Sequence, residues 1–193
     1  MAYGNLPVLP AIGSIPICSP ERGQPDVTPD SAALLVMTDL KRVAAAVTSP
    51  NETMDAAHAF MIQRGVRMLL AVDAGGTLAG IITTNDILGE KPVAVAQERG
   101  IRHSEITVAD VMTPADRLEA FDMQVVRAAR VRQVVESLQH AKRHHALVVQ
   151  VSADGSREVR GLFSLSQIAR QLGMPLTLPT AASSFAEIEA ALA

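Results

Sequence analysis

The chain has 193 residues, a formal net charge of −3 and an apolar fraction of 48%, of which aromatic residues supply little, so its core must be aliphatic. A negative balance with scattered Lys and Arg argues against a nucleic-acid surface, which needs a concentrated basic face. Cys18 is the single cysteine, which excludes an intrachain disulfide and a Cys-based zinc cage. No window holds the roughly 20 apolar residues of a membrane span, and prolines interrupt the start of the chain where a signal peptide needs an unbroken apolar run. The composition therefore predicts a soluble, cytoplasmic protein with neither nucleic acid nor membrane as partner.

In chain order, six of the eleven prolines fall at or before Pro29, which predicts an extended N-terminal arm over residues 1–33. Cys18 within it reads as a small apolar filler. Residues 31–37 form a short helix or strand leading into a first unit. Ser49 or Asn51 is a plausible cap for a helix carrying Met54, Ala57, Phe60, Met61 and Arg64 at helical spacing, closed by Gly65. Residues 68–72 and 78–82 are short apolar strands joined by a turn at Gly75 and Gly76. Pro92 in a first turn and Gly100 just past the end delimit a connecting helix.

A second unit repeats the first. Residues 131–143 form a helix whose buried stripe is Val131, Val134, Val135 and Leu138, and residues 146–151 and 159–163 are its strands. Gly173 ends the unit. Ser184 and Glu187 then form a capping box for a short C-terminal helix. This ordering predicts an N-terminal arm (1–33), a first repeat (34–90), a connector (91–105), a second repeat (106–173) and a tail (174–193).

The repetition is explicit in the residues. Gly80-Ile81-Ile82-Thr83-Thr84-Asn85-Asp86-Ile87 returns 81 positions later as Gly161-Leu162-Phe163-Ser164-Leu165-Ser166-Gln167-Ile168, whereas the preceding helix and strand align at an offset of 78. That difference assigns three extra residues to the second hairpin, where length variation belongs at the tip. Val36-Met37-Thr38 likewise matches Val111-Met112-Thr113. One fold unit is used twice.

Thr83 and Asp86 have two readings. A hydroxyl followed three residues later by a carboxylate caps a helix N-terminus, and Ser164 to Gln167 fits the same description. The same junction gathers backbone N–H groups and a hydroxyl where a phosphate can sit, with a carboxylate placed to accept from a ribose diol. His140 and His144 suggest a metal pair at i and i+4, but no third ligand is near, and a basic helix end is the better reading. No nucleophile with a neighbouring base and no lysine-bearing phosphate loop is present, so the chain is read as a binding protein and not an enzyme.

The repeated helix, strand, glycine hairpin and Gly-apolar-apolar-Thr-x-x-Asp motif resembles the cystathionine beta-synthase (CBS) domain, here as a tandem pair over about residues 34–173. The resemblance implies an α/β (α+β) fold in which two CBS repeats, each a small sheet flanked by helices, pack with pseudo-two-fold symmetry. It also implies a stand-alone regulatory module that binds AMP, ADP, ATP or S-adenosylmethionine between its repeats, without a catalytic cofactor, and signals by conformational change. Carried over by position, Thr83 resembles the phosphate contact and Asp86 the ribose contact. Val47 and Thr48 resemble the adenine-lining segment, with Arg67 and Met68 flanking it.

In the second copy Ser164 can still receive a phosphate, but Gln167 stands where the family has aspartate, which predicts a weaker or empty site. Arg127, Arg130 and Arg132 read as a solvated basic surface or, because they lie near a cleft, as a phosphate clamp, and His145 is placed to touch a ligand. The expected partners are an adenosine-containing small molecule, a second copy in a homodimer and an effector protein. The alternative is a ligand-free oligomerisation scaffold.

Overall fold

The computed structural model describes residues 27–178; most of the expected arm, including Cys18, and the expected C-terminal helix lie outside the described residues. The fold is α+β, with two four-stranded sheets that are nearly copies of each other. In the first repeat, helix α1 (Met54–Arg64) buries Met54, Ala57 and Met61. Its cap is Thr53, whose hydroxyl accepts from the Ala56 N–H, in place of the Ser49 or Asn51 expected from sequence. Ser49 instead receives the Asn51 N–H in the turn before it.

Gly65 ends α1 in the left-handed region and β3 (Met68–Val72) follows, pairing antiparallel with β4 (Leu78–Thr83) and parallel with β2 (Val47–Thr48). Helix α2 (Thr84–Leu88) starts where β4 stops. Helix α3 (Lys91–Arg99) is the expected connector, with Pro92 in its first turn and Gly100 left-handed past its end.

The second repeat follows the same plan. After β6 (Ala120–Asp122) and α5 (Met123–Ala128), helix α6 (Val131–His140) buries Val131, Val134 and Leu138. Strands β7 (His145–Val151) and β8 (Arg157–Ser164) then lead into α7 (Leu165–Leu172). Because α6 ends at His140, His140 and His144 do not share a helical face.

Strand register corrects the internal alignment. Met68 pairs with Thr83 and His145 pairs with Ser164, and the buried stripes of α1 and α6 agree with that pairing, so helix and strand repeat at 77 rather than 78. Arg67 is thus matched by His144, and Met68 by His145. The extra length also sits elsewhere than expected. Both hairpin tips close with the same hydrogen bonds, Asp73 N–H to Thr77 O and Ser152 N–H to Ser156 O. The second hairpin is longer because β7 has 7 residues against 5 in β3, and β8 has 8 against 6 in β4.

The lead-in segments cross between the repeats. Strand β1 (Thr38–Asp39), which precedes the first repeat, pairs with β8 of the second; β5 (Thr113–Pro114), which precedes the second, pairs with β4 of the first. Helix α4 (Val108–Val111) leads into β5. Gly80 and Gly161 open the recurring motif because of this crossing. A Cβ at Gly80 would lie 2.4 Å from the Thr113 carbonyl oxygen, and one at Gly161 would lie 2.8 Å from that of Thr38. Asp39 is further tied to β8 by a two-pronged ion pair with Arg160, which holds the Asp39 carboxyl below its ordinary range.

Burial follows the same exchange. Ile106, Val108 and Val111 complete the core of the first repeat, while Ala33, Val36 and Met37 complete that of the second. A third apolar layer, centred on Met68, Leu70 and Leu147, joins the two sheets. Each core lacks part of its wall without the other repeat's lead-in, so the pair should fold as one unit. Among the described residues, no helix is long and apolar enough to cross a membrane.

Candidate functional site

Both strand-to-helix junctions face cavities between the repeats. In the first, Thr83 caps α2. Its hydroxyl accepts from the Asp86 N–H at 3.3 Å, and Asp86 Oδ2 accepts from the Thr83 N–H at 2.9 Å and from the Thr83 hydroxyl at 2.6 Å. Asp86 is only 9% exposed. Its second oxygen, Oδ1, accepts from Lys91 Nζ, which also donates to the Val111 carbonyl at 3.1 Å. The capping reading of the motif is therefore realised here, with a lysine added that the sequence pattern did not single out.

The second junction is built differently. No side chain caps α7, because the Ser164 hydroxyl lies 3.1 Å from that of Ser166. Gln167 Oε1 accepts from the Thr38 hydroxyl at 3.2 Å, a contact that the crossed β1 makes possible. The expectation that Ser164 caps like Thr83 is corrected. A neutral amide is a weaker acceptor than the Asp86 carboxylate, and Gln167 turns to the crossed lead-in instead.

Cavity 1, about 340 Å³, is lined by Thr83, Thr84, Asn85 and Asp86, by Thr113 and residues 117–119 of the second lead-in, and by residues 142–147. Cavity 2, about 760 Å³, is lined by Ser164, Ser166, Gln167 and Arg170, by Thr38, Leu40 and residues 43–46 of the first lead-in, and by residues 63–68. Both volumes fall in the range of small-molecule sites, roughly 300 to 1,000 Å³. Arg67, Met68, His145 and Ser166 line both cavities.

Of the residues singled out from sequence, Arg67, Met68, Thr83, Asp86 and His145 thus meet at cavity 1, and Ser164 and Gln167 at cavity 2. Val47 and Thr48 line neither. They are held in β2, and the crossing of the lead-ins sends the segment just before them, residues 43–46, to the Gln167 cavity and not to the Asp86 cavity. Arg130 also lines neither. It stands at the N-cap position of α6, where its N–H donates to Gln133 Oε1, its backbone bridges to Ala32, and its guanidinium donates to the Asp30 carbonyl at 3.3 Å, while Arg132 pairs with the Asp30 carboxylate.

Sequence reasoning missed Arg117 and Lys142 as lining of cavity 1. Lys142 had a signal: it occupies the left-handed position, φ 52°, that Gly65 fills in the first repeat. A non-glycine residue there costs on the order of 1 kcal/mol, and such positions cluster at functional sites. Arg143 pairs with Glu119 at 3.1 Å across the rim, which leaves Arg67, Arg117 and Lys142 without an ion pair among the described residues. Burial, and then the charges of His144 and Arg67, push the His145 pKa down to about 4. At neutral pH its uncharged ring offers one donor and one acceptor.

Residues 34–92 match the CBS domain family. No curated protein matches the chain. Among solved structures, an uncharacterized conserved protein from Pyrococcus horikoshii is 19% identical, with a TM-score of 0.55 over 80% of this chain and 100% of that one. The CBS-pair protein CBSX2 from Arabidopsis thaliana, solved in complex with AMP, is 21% identical, with a TM-score of 0.52 over 72% and 93%. The CBS domain pair of protein MJ0100, solved with 5′-methylthioadenosine and S-adenosyl-L-methionine, is 20% identical, with a TM-score of 0.51 over 75% and 98%. The chain carries a CBS domain at residues 34–92 and has the fold of tandem CBS-pair proteins.

Proposed function

We propose that the protein is a regulatory binding module that takes an adenosine-containing ligand in cavity 1. The observation that carries this reading is the meeting of Thr83 and Asp86 from one repeat with Lys142 and His145 from the other around a single space of about 340 Å³. In this reading Asp86 accepts from the ribose diol, and the first N–H groups of α2 with Arg67, Arg117 and Lys142 receive phosphate. The solved relatives support an adenosine-type ligand, since CBSX2 was solved with AMP and the MJ0100 pair with S-adenosyl-L-methionine. A ligand spanning both repeats favours the arrangement in which they are drawn together, and that difference in affinity is the signal.

The exposed apolar side chains of Ile62, Leu88 and Val93, on α1, α2 and the connecting α3, support a homodimer. An effector protein would read the ligand-dependent state of the dimer. One observation favours a second reading, a ligand-free scaffold: both Asp86 oxygens already have partners inside the fold. A thermal-shift series with AMP, ATP and S-adenosylmethionine separates the two. The sensor is stabilised progressively as ligand rises past its Kd, whereas the scaffold does not respond.

A further inference from the structure

Cavity 2 has a lining that adenosine recognition through an acid does not use. It includes Arg64, Arg67 and Arg170 and not one Asp or Glu, although the whole chain carries a formal charge of −3. None of these three guanidinium groups makes an ion pair or a hydrogen bond among the described residues; Arg64 only rests over the Phe60 ring, 5.9 Å from its centroid. Cavity 1 differs, because the carboxylates of Asp86 and Glu119 stand among its cations.

A sugar diol needs a strong acceptor, and the residue in the Asp86 position is Gln167, a neutral and weaker acceptor whose Oε1 already accepts from the Thr38 hydroxyl. A polyanion needs the reverse: convergent guanidiniums, a hydroxyl donor and no nearby carboxylate to repel it. Of the paired Ser164 and Ser166 hydroxyls, one donates to the other, which leaves one O–H to offer.

We propose that cavity 2 binds a small polyphosphate anion through Arg64, Arg67 and Arg170, with Ser164 as a hydroxyl donor and without recognition of a sugar. Arg64 and Arg170 line this cavity alone, whereas Arg67 is shared with cavity 1, so a phosphate bound there competes for it. The volume of about 760 Å³ exceeds the needs of two or three phosphate groups, so the anion is either inorganic or the tail of a nucleotide whose body rests against Leu40 and residues 43–46.

The test is calorimetric titration of inorganic tripolyphosphate, ATP, AMP and adenosine into the wild-type protein and into Arg170→Ala, Arg64→Ala and Asp86→Ala. Arg64 and Arg170 line cavity 2 only, and Asp86 lines cavity 1 only. The expected result is tripolyphosphate binding that weakens about tenfold or more in each arginine variant, weakens with added salt and is unchanged in Asp86→Ala and in the presence of adenosine. AMP binding should be unchanged in Arg170→Ala. ATP binding that follows Arg170 more tightly than tripolyphosphate assigns the cavity to a nucleotide tail; equal binding assigns it to the inorganic anion. Absence of tripolyphosphate binding, full affinity in both arginine variants, or loss of that binding in Asp86→Ala overturns the proposal. Failure of the cavity 1 reading appears separately, as AMP binding that is absent or indifferent to Asp86.

Discussion

Lys91 gives a prediction with opposite signs for stability and binding. Its ammonium group holds Asp86 Oδ1 and the Val111 carbonyl, yet Lys91 is not among the residues lining cavity 1. A ribose diol reaching for Asp86 therefore competes with an internal partner that itself never touches the ligand. Lys91→Met keeps the apolar stem and frees Oδ1. The lysine side chain is 49% exposed, so the pair belongs with solvent-screened ion pairs worth about 0.2 to 1 kcal/mol.

Its loss should lower the melting temperature by about 1 to 4 °C for a chain of this size. The same energy, no longer spent on displacing lysine, should tighten the diol contact by up to about fivefold, since 1.4 kcal/mol corresponds to a factor of ten. Adenosine is the right probe, because it carries no phosphate whose attraction would fall with the lost charge. Calorimetry and thermal unfolding on the same variant read both effects. Weaker or unchanged adenosine binding in Lys91→Met would refute competition at Asp86.

The crossed lead-ins, the second histidine and the cap give three more tests. Gly80→Ala drives a Cβ to 2.4 Å from the Thr113 carbonyl oxygen and 2.9 Å from Met112 Sδ; β5 must leave β4, at a cost of about 1 to 3 kcal/mol. Gly161→Ala should act similarly against β1, and urea denaturation measures both. The His145 pKa, lowered to about 4 from 6.5, means that the unfolded chain binds the proton first on acidification. Its contribution is fully present above pH 6.5 and is lost as pH falls toward 4, amounting to about 1 to 3 kcal/mol; urea midpoints at pH 7 and 4.5 should converge in His145→Gln. Thr83→Ala removes the α2 cap and should cost about 1 kcal/mol, whereas Ser164→Ala, which removes no cap, should cost less by the same assay.

Local signals carried much of the fold into the sequence. The hairpins, the connecting helix between Pro92 and Gly100, and the buried stripes of α1 and α6 all follow from period, turn chemistry and capping, which act within a few residues. The exchange of β1 and β5 was not legible, because it is a choice between two nearly identical sheet edges that pattern alone does not distinguish. From that exchange follow the misplacement of Val47 and Thr48 and the missing Arg117. The offset of 78 failed for a related reason: aliphatic strands tolerate a one-residue slide in an alignment, whereas paired residues such as His145 and Ser164 do not. Lys91 was invisible because it reaches Asp86 from the next helix rather than from within the motif.

The most direct test is a parallel calorimetric titration of AMP into the wild-type protein and Asp86→Ala, at a temperature where both are folded. Saturable binding to the wild type, weakened about tenfold or more by the substitution, is the result expected of an adenosine site in cavity 1. No saturable heat up to millimolar AMP, or equal affinity in the two proteins, would contradict it.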